Sequence, residues 1–267
     1  MLEVVDKGSC TEAHPMPLLF VHGGWHGAWC WDEYFLDFFA AKGYRVLAVS
    51  LRGHGRSPTS KPLFRCSIAD YVDDVAEVAD RLPTGPVVIG HSMGGFVVQK
   101  YLESHAAPAC VLLASIAARG ILGPTLQSMR RYPWRTTRSV LTGKTLRNMN
   151  TPGRARQMFF SSHVPEPQVA TYAARLQEES ARAIFLDMLF FDLPKPENVK
   201  VPVLVLGAQH DRAILAMDVQ TTACAYRTEA EIFPNMGHDM MLEPGWAAVA
   251  RTNSPLARNT LQCSRFR

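Results

Sequence analysis

The stretch VVIGHSMGG, residues 87–95, joins an apolar run to a helical pattern at 96–101 through a G-x-S-x-G motif. At a strand-to-helix turn of this kind the backbone of Ser92 is strained, and Gly90 and Gly94 are needed because neighbouring segments pass within contact distance. The turn projects the Ser92 hydroxyl above the sheet at a helix N-terminus, where developing negative charge is favoured. The motif therefore predicts Ser92 as a nucleophile.

A serine hydroxyl is a poor nucleophile unless a base takes its proton, and that base needs an acid to orient it. After a nucleophile in this motif the acid comes next in the chain, followed by the histidine. An apolar run at 201–206 leads to Asp211, and a weaker run at 229–233 leads to His238. We therefore predict Ser92, Asp211 and His238 as the catalytic residues.

The tetrahedral intermediate of such a reaction carries a negative oxygen, which requires backbone donors. One predicted donor is the N–H of Met93, directly after the nucleophile. The second is expected from the glycine-containing loop in FVHGGW, residues 20–25, after an earlier apolar run. We assign Gly24 as this donor, with Trp25 as the alternative.

Six short apolar runs are predicted as buried, mainly parallel strands. They lie at 17–21, 44–49, 86–89, 109–114, 201–206 and 229–233. The clearest helix runs from Ser67 to Leu82, where Ser67 and Asp70 form a capping box. Alternating strands and helices indicate an α/β fold, with a mainly parallel sheet and helices on both faces.

This alternation stops at about residue 115 and resumes near 198. The intervening segment is interrupted by prolines and is rich in Met and Phe, which indicates several short helices. We predict a helical cap or lid at 115–197, inserted into an α/β core made of 1–114 and 198–267. The predicted substrate contacts are Trp25, Trp134 and Met240.

Basic residues are concentrated in the predicted cap. Residues 104–165 contain no Asp or Glu, yet they carry nine Lys and Arg. A solvated helical face explains this pattern best, and a positive lip that attracts anionic or polar substrates is the alternative. No nucleic-acid-binding motif accompanies these charges, so no nucleic-acid partner is predicted.

The composition is that of a globular chain: 267 residues, 47% hydrophobic, with a net charge of +4. This excludes extended disorder, and no apolar run reaches the roughly 18 residues of a membrane span.

No signal peptide is predicted at the N-terminus, and the six scattered cysteines are expected to be free thiols in a cytoplasmic protein. Neither a cofactor nor a metal is predicted, because the chemistry needs none and His22 and His26 lack a third ligand. The sequence carries no indication of oligomeric state.

Five segments together resemble the α/β-hydrolase family along nearly the whole chain. They are VHGGWHGAWCW at 21–31, VLAVSLRGHGRS at 46–57, VVIGHSMGG at 87–95, VLVLGAQHD at 203–211 and PNMGHDMMLEP at 234–244. The first is similar to methylesterases and hydroxynitrile lyases, whereas the second and third are similar to carboxylesterases and monoacylglycerol lipases. The resemblance implies a serine esterase or lipase-like hydrolase with Ser92, Asp211 and His238 as its triad and His22 in a structural role.

Two regions depart from the family pattern. The family ends in a long amphipathic helix, but Pro255 interrupts the periodicity of the tail after Ala250. It also opens with an antiparallel hairpin, for which Leu2 to Pro15 leaves little room.

The resemblance also narrows the reaction. Ser92 replaces the aspartate nucleophile of dehalogenases and epoxide hydrolases, and Asp239 stands where a lyase carries lysine. The main prediction is hydrolysis of short-to-medium hydrophobic esters, with a small-molecule ester as the partner. The alternatives are carbon–carbon bond hydrolysis by the same triad and a ligand-binding receptor with negligible turnover.

Overall fold

A computed structural model describes residues 1–131 and 133–253 of the chain. In this part of the chain a single seven-stranded sheet has the order β1-β3-β2-β4-β5-β6-β7. The strands are β1 Val4–Lys7, β2 Leu18–Val21, β3 Val46–Val49, β4 Val87–His91, β5 Cys110–Leu113, β6 Val203–Ala208 and β7 Ala230–Phe233. The structure confirms the six predicted strands and the mainly parallel α/β fold.

The strand that was not predicted is β1, at one edge of the sheet. It pairs antiparallel with β3, placing Val5 opposite Ala48, whereas all the other pairs are parallel. The short N-terminal segment thus supplies one antiparallel strand of four residues.

Helices cover both faces of the sheet and also form the connection between β5 and β6. The helices are α1 Trp29–Asp32, α2 Phe35–Ala40, α3 Ile68–Ala79, α4 Met93–Tyr101, α5 Leu122–Arg131, α6 Pro133–Thr142, α7 Pro152–Phe159, α8 Glu166–Ala174, α9 Ala216–Ala225 and α10 Trp246–Asn253. A π-helical segment spans Ala183–Phe191, and 3-10 turns span Leu63–Arg65, Leu146–Asn148 and Pro196–Asn198.

The predicted capping box starts α3. The Ser67 hydroxyl accepts the Asp70 backbone N–H at 3.1 Å, and the Asp70 carboxylate accepts the Ser67 N–H at 2.7 Å. This pair satisfies two backbone donors that a helix N-terminus otherwise leaves without partners.

Side chains that alternate along β2 divide the core between the two faces of the sheet. Phe20 belongs to a cluster with Trp31, whose ring centroid is 5.0 Å away. Leu19 belongs to the opposite cluster, together with Tyr71 of α3 and Phe96 of α4. A strand buried on both faces needs apolar side chains at every position, which is why the parallel strands could be recognised as unbroken apolar runs.

Helices make up most of the described connection from β5 to β6. It contains α5 to α8 and the π-helical segment, and no strand occurs among its described residues. We call residues 115–197 the helical insertion.

The five cysteines within the described ranges are free, and Cys263 lies outside them. The chain is described up to Asn253 at the end of α10, so the predicted irregular tail with Pro255 also lies outside the described residues. Among the described helices, none combines the length and apolar character that a membrane crossing requires.

Close packing beneath the G-x-S-x-G turn gives a stability prediction. A Cβ atom at Gly94 would overlap the carbonyl oxygens of Val21 and His22, so Gly94→Ala should destabilise the fold by more than about 2 kcal/mol. Gly153→Ala is the control, because a Cβ there meets nothing within 4 Å; it should change stability by no more than about 1 kcal/mol. Urea unfolding of both variants measures the difference, and equal stabilities would contradict the packing argument.

Candidate active site

Ser92, the predicted nucleophile, occupies the turn between β4 and α4. Its backbone has φ 53° and ψ −118°, a conformation that a residue with a side chain adopts at a cost of about 1–3 kcal/mol. Its N–H donates to Leu113 at 3.1 Å, and its carbonyl accepts the N–H groups of Phe96 and Ile116, each at 3.2 Å. Neighbouring segments thus hold the strained conformation from several directions.

Asp211 and His238 meet beyond the ends of β6 and β7. Asp211 Oδ2 lies 2.7 Å from His238 Nδ1. Asp211 Oδ1 accepts the backbone N–H groups of Ala213 and Ile214 at 2.7 and 2.8 Å, so the carboxylate is held on both oxygens. Because an ionised carboxylate only accepts hydrogen bonds, the proton is on Nδ1 and the lone pair of neutral His238 is on Nε2.

His91, the residue directly before Ser92, contacts His238 and so connects it to the turn. The two imidazole centroids are 4.6 Å apart, and His91 Nε2 donates to the backbone carbonyl of His238 at 3.0 Å. The structure therefore gathers the three predicted catalytic residues at the same edge of the sheet.

The environment raises the pKa of His238 above its usual value. Burial alone would lower this pKa, but the Asp211 carboxylate raises it through charge and a hydrogen bond, and the Asp239 carboxylate adds to the increase. A neighbouring negative charge stabilises the imidazolium form in this way.

Asp239 forms a second buried pair with His26. The carboxylate oxygen Oδ2 lies 3.1 Å from His26 Nε2, and Oδ1 lies 3.8 Å from His91 Nε2. Burial raises the pKa of Asp239, but His26 and the neighbouring imidazoles bring it below its usual value. No sequence motif indicates this pair, because its members are 213 residues apart.

His91, His238 and Asp239 form one group with the spacing of possible metal ligands. One ligand atom from each lies within 4.8 Å of the others. However, His91 Nε2 already donates to the His238 carbonyl, and His238 Nδ1 is occupied by Asp211. These hydrogen bonds occupy one ring nitrogen of each histidine, whereas His91 Nδ1 and Asp239 Oδ1 have no hydrogen-bond partner among the described residues.

His22 has the structural role that the resemblance implied. Its Nε2 accepts the Leu51 N–H at 3.0 Å, and its Nδ1 donates to the Gly23 carbonyl at 2.8 Å. Burial and the neighbouring His54 lower its pKa to about 3, which keeps the ring neutral. Both ring nitrogens are therefore occupied by backbone groups.

The segment His22–His26, which we call the glycine loop, lies beside Ser92. A Cβ atom at Gly23 would be 3.0 Å from Ser92 Cβ, and one at Gly24 would be 3.9 Å from Met93 Sδ. Met93 begins α4, where backbone N–H groups have no partner within the helix. The structure thus places Gly23 against Ser92 and Gly24 against the Met93 side chain, and the donor roles of the Gly24 and Met93 N–H groups stay a prediction.

The three predicted substrate contacts have very different environments. Trp25 is half-buried, and its ring centroid is 6.1 Å from that of Phe159, which in turn is 6.0 Å from His238. Met240 is fully buried in the core and donates its N–H to the His238 carbonyl. Trp134 lies on the surface with 82% of its area exposed, so it does not join the buried group around His238.

Sequence reasoning missed Glu179, which the helical insertion contributes next to the glycine loop. Its Oε2 accepts the Trp25 N–H at 3.3 Å and lies 3.1 Å from His54 Nε2. No motif marks this residue. Only the adjacent acidic pair Glu178-Glu179, after a long basic stretch, distinguishes it in the sequence.

A model of the alpha/beta hydrolase family matches residues 18–252 of the chain. The chain belongs to the α/β-hydrolase family. The family match covers all the predicted catalytic residues, and it confirms the resemblance seen in the sequence.

Two curated relatives illustrate the range of activities named in the family. A non-heme haloperoxidase from Rhodococcus erythropolis is 38% identical to this chain over 244 residues. The alignment covers 84% of this chain and 86% of the haloperoxidase. A bifunctional esterase/perhydrolase from Acinetobacter calcoaceticus is 38% identical over 104 residues, or 37% of each chain. Several alignments of this kind span only about a third of the relative's length.

Solved structures show the same fold. A thermophilic esterase from Thermogutta terrifontis superposes with a TM-score of 0.75 at 19% identity, covering 97% of this chain and 93% of that one. At this level of identity the likeness concerns the α/β-hydrolase fold alone.

The buried charges around His238 give a spectroscopic prediction. In the wild type, the pKa of His238 should lie above the ordinary value of about 6.5, and Asp239→Asn should lower it because one nearby negative charge is removed. Imidazole NMR over a pH titration measures both values. The control Asp37→Asn removes an exposed carboxylate and should leave the titration unchanged. A wild-type pKa at or below 6.5 would contradict the electrostatic argument.

Proposed function

We propose that this protein is a serine hydrolase that cleaves carboxylic esters through an acyl-enzyme formed on Ser92. The observation that carries the proposal is the 2.7 Å contact between Asp211 and His238, beside the strained turn that holds Ser92. Membership of the α/β-hydrolase family and relatives with esterase names support the same chemistry.

In this mechanism the Ser92 hydroxyl attacks the ester carbonyl while His238 Nε2 takes its proton. Asp211 keeps the other ring nitrogen protonated and stabilises the imidazolium that forms. The N–H groups of Gly24 and Met93 donate to the oxygen of the tetrahedral intermediate. His238 then protonates the leaving alcohol, and afterwards it activates the water that releases the acid.

The substrate range follows from the enclosure of the site. Ser92 is only 9% exposed and His238 only 2%, and Phe159 of the helical insertion stacks against the His238 ring. We propose that the insertion acts as a cap over the site. The aromatic side chains of Phe159 and Trp25 limit the space near His238. This favours small, hydrophobic acyl or alcohol groups, and therefore short-to-medium esters.

Steady-state hydrolysis of p-nitrophenyl butyrate tests the proposed nucleophile. Ser92→Ala should lower kcat by about 10³-fold or more, because no other group in the mechanism forms the acyl-enzyme. Ser104→Ala, which removes an exposed hydroxyl, is the control and should retain wild-type turnover. Equal turnover in wild type and Ser92→Ala would disprove the assignment.

The acyl chain preference tests the proposed cap. Activity as kcat/KM should be highest for p-nitrophenyl esters of four to eight carbons and fall by about 10-fold or more at sixteen, since long chains exceed an enclosed site. A profile that peaks at sixteen carbons would mean that the insertion leaves an open acyl channel.

The peroxidase and perhydrolase names of relatives favour one second candidate. If hydrogen peroxide instead of water attacks the acyl-enzyme, the product is a peracid and the same Ser92 is regenerated. Including peroxide in the wild-type and Ser92→Ala assays detects this branch, because peracid formation would also depend on Ser92.

A further inference from the structure

We infer that Glu179 is a positioning residue that holds the glycine loop in the conformation needed for the Gly24 N–H to face the reacting carbonyl. The kinetic part of this inference depends on the proposed hydrolase function. The structural part, that the carboxylate restrains the loop, does not.

The contact is made to the backbone of the loop itself. Glu179 Oε2 accepts the N–H of Trp25 at 3.3 Å and lies 3.6 Å from the position that a Cβ atom at Gly24 would occupy. Trp25 has a φ of 67°, a left-handed conformation that bulky residues adopt only where their surroundings enforce it. The Trp25 N–H belongs to the peptide group that joins Gly24 to Trp25. A hydrogen bond to this N–H therefore restrains the orientation of the peptide next to Gly24.

The helical insertion holds Trp25 at two further points. The Gln177 N–H donates to the Trp25 carbonyl at 2.8 Å, and the indole Nε1 donates to Thr145 Oγ1 at 2.8 Å. The Gln177 side chain also accepts the Gly55 N–H at 2.6 Å. Residues 177–179 thus fasten the loops after β2 and β3 to the insertion.

Glu179 is itself rigidly held and fully buried. Its Oε1 accepts the Tyr71 hydroxyl and the Ser180 N–H, each at 2.6 Å. Both oxygens face donors, and an ionised carboxylate is the side chain that accepts on both. In Glu179→Gln one carboxylate oxygen is replaced by an N–H₂ group, which cannot accept a hydrogen bond. The variant can therefore accept from the donors at only one of the two positions.

His54 explains how a carboxylate can lie beside the proposed oxyanion site. An isolated anion there would oppose the negative oxygen, but His54 Nε2 lies 3.1 Å from Glu179 Oε2. Burial lowers the pKa of His54, yet Glu179 raises it above its usual value; burial raises the pKa of Glu179, yet His54 brings it below. When His54 is protonated the two charges compensate, and the carboxylate remains a hydrogen-bond acceptor with little net charge.

The test compares Glu179→Met, which has no acceptor, with Glu179→Gln and with the control Tyr71→Phe. Tyr71→Phe removes one donor to the same carboxylate but leaves the contact with Trp25. We expect kcat for p-nitrophenyl butyrate to fall by about 10- to 100-fold in the Met variant and less in the Gln variant, with KM changed by less than about 3-fold. Tyr71→Phe should stay within about 3-fold of wild-type kcat.

Hydrogen exchange of the Trp25 backbone amide gives a readout that does not require activity. It should be at least about 10-fold faster in Glu179→Met than in wild type or Tyr71→Phe, because the amide loses its acceptor. If Glu179→Met does not fold, the nearly isosteric Glu179→Gln takes its place in both measurements, with a smaller change expected.

Unchanged kcat and unchanged Trp25 exchange in the Glu179 variants would overturn the inference. So would a loss in Tyr71→Phe equal to that in Glu179→Met, since it would indicate general destabilisation. If the wild type itself has no esterase activity, the proposed function fails, and the exchange measurement alone decides whether Glu179 restrains the loop.

Discussion

The strained backbone at Ser92 is the constraint on which the rest of the site depends. A positive φ at a residue with a side chain persists only where packing leaves no alternative. Here β4 and α4 meet so closely that a Cβ at Gly90 would lie 2.6 Å from the Gly95 Cα. The same close packing brings α4 against the end of β2, and the glycine loop that follows β2 is consequently placed beside Ser92.

Among the described residues, three buried histidine–carboxylate pairs near this turn have N···O distances of 3.1 Å or less. They are His238 with Asp211, His26 with Asp239, and His54 with Glu179. Burying a single charge is costly, and removing one partner leaves the other uncompensated. Each pair also joins segments that are distant in the chain. The pairs therefore couple the geometry of the candidate site to correct assembly of the core and the helical insertion.

The helical insertion contacts both His238 and the loops beside Ser92. Phe159 stacks on His238, while residues 177–179 hold the loops that follow β2 and β3. A segment of this kind contributes both the enclosure of a site and the restraint of its backbone donors. Under the proposed function, changes at Phe159 should affect substrate range, and changes at residues 177–179 should affect the rate of chemistry.

The parallel strands, the turn at Ser92 and the order of Asp211 and His238 were all readable from local sequence. Strands buried on both faces need unbroken apolar runs, and a strained turn in close packing needs glycines, so each leaves a local pattern. Glu179, the Asp239 pair and the exposure of Trp134 left no such pattern. They depend on how the insertion folds back onto the core, and contacts between residues more than 100 positions apart are decided by tertiary packing rather than by local periodicity.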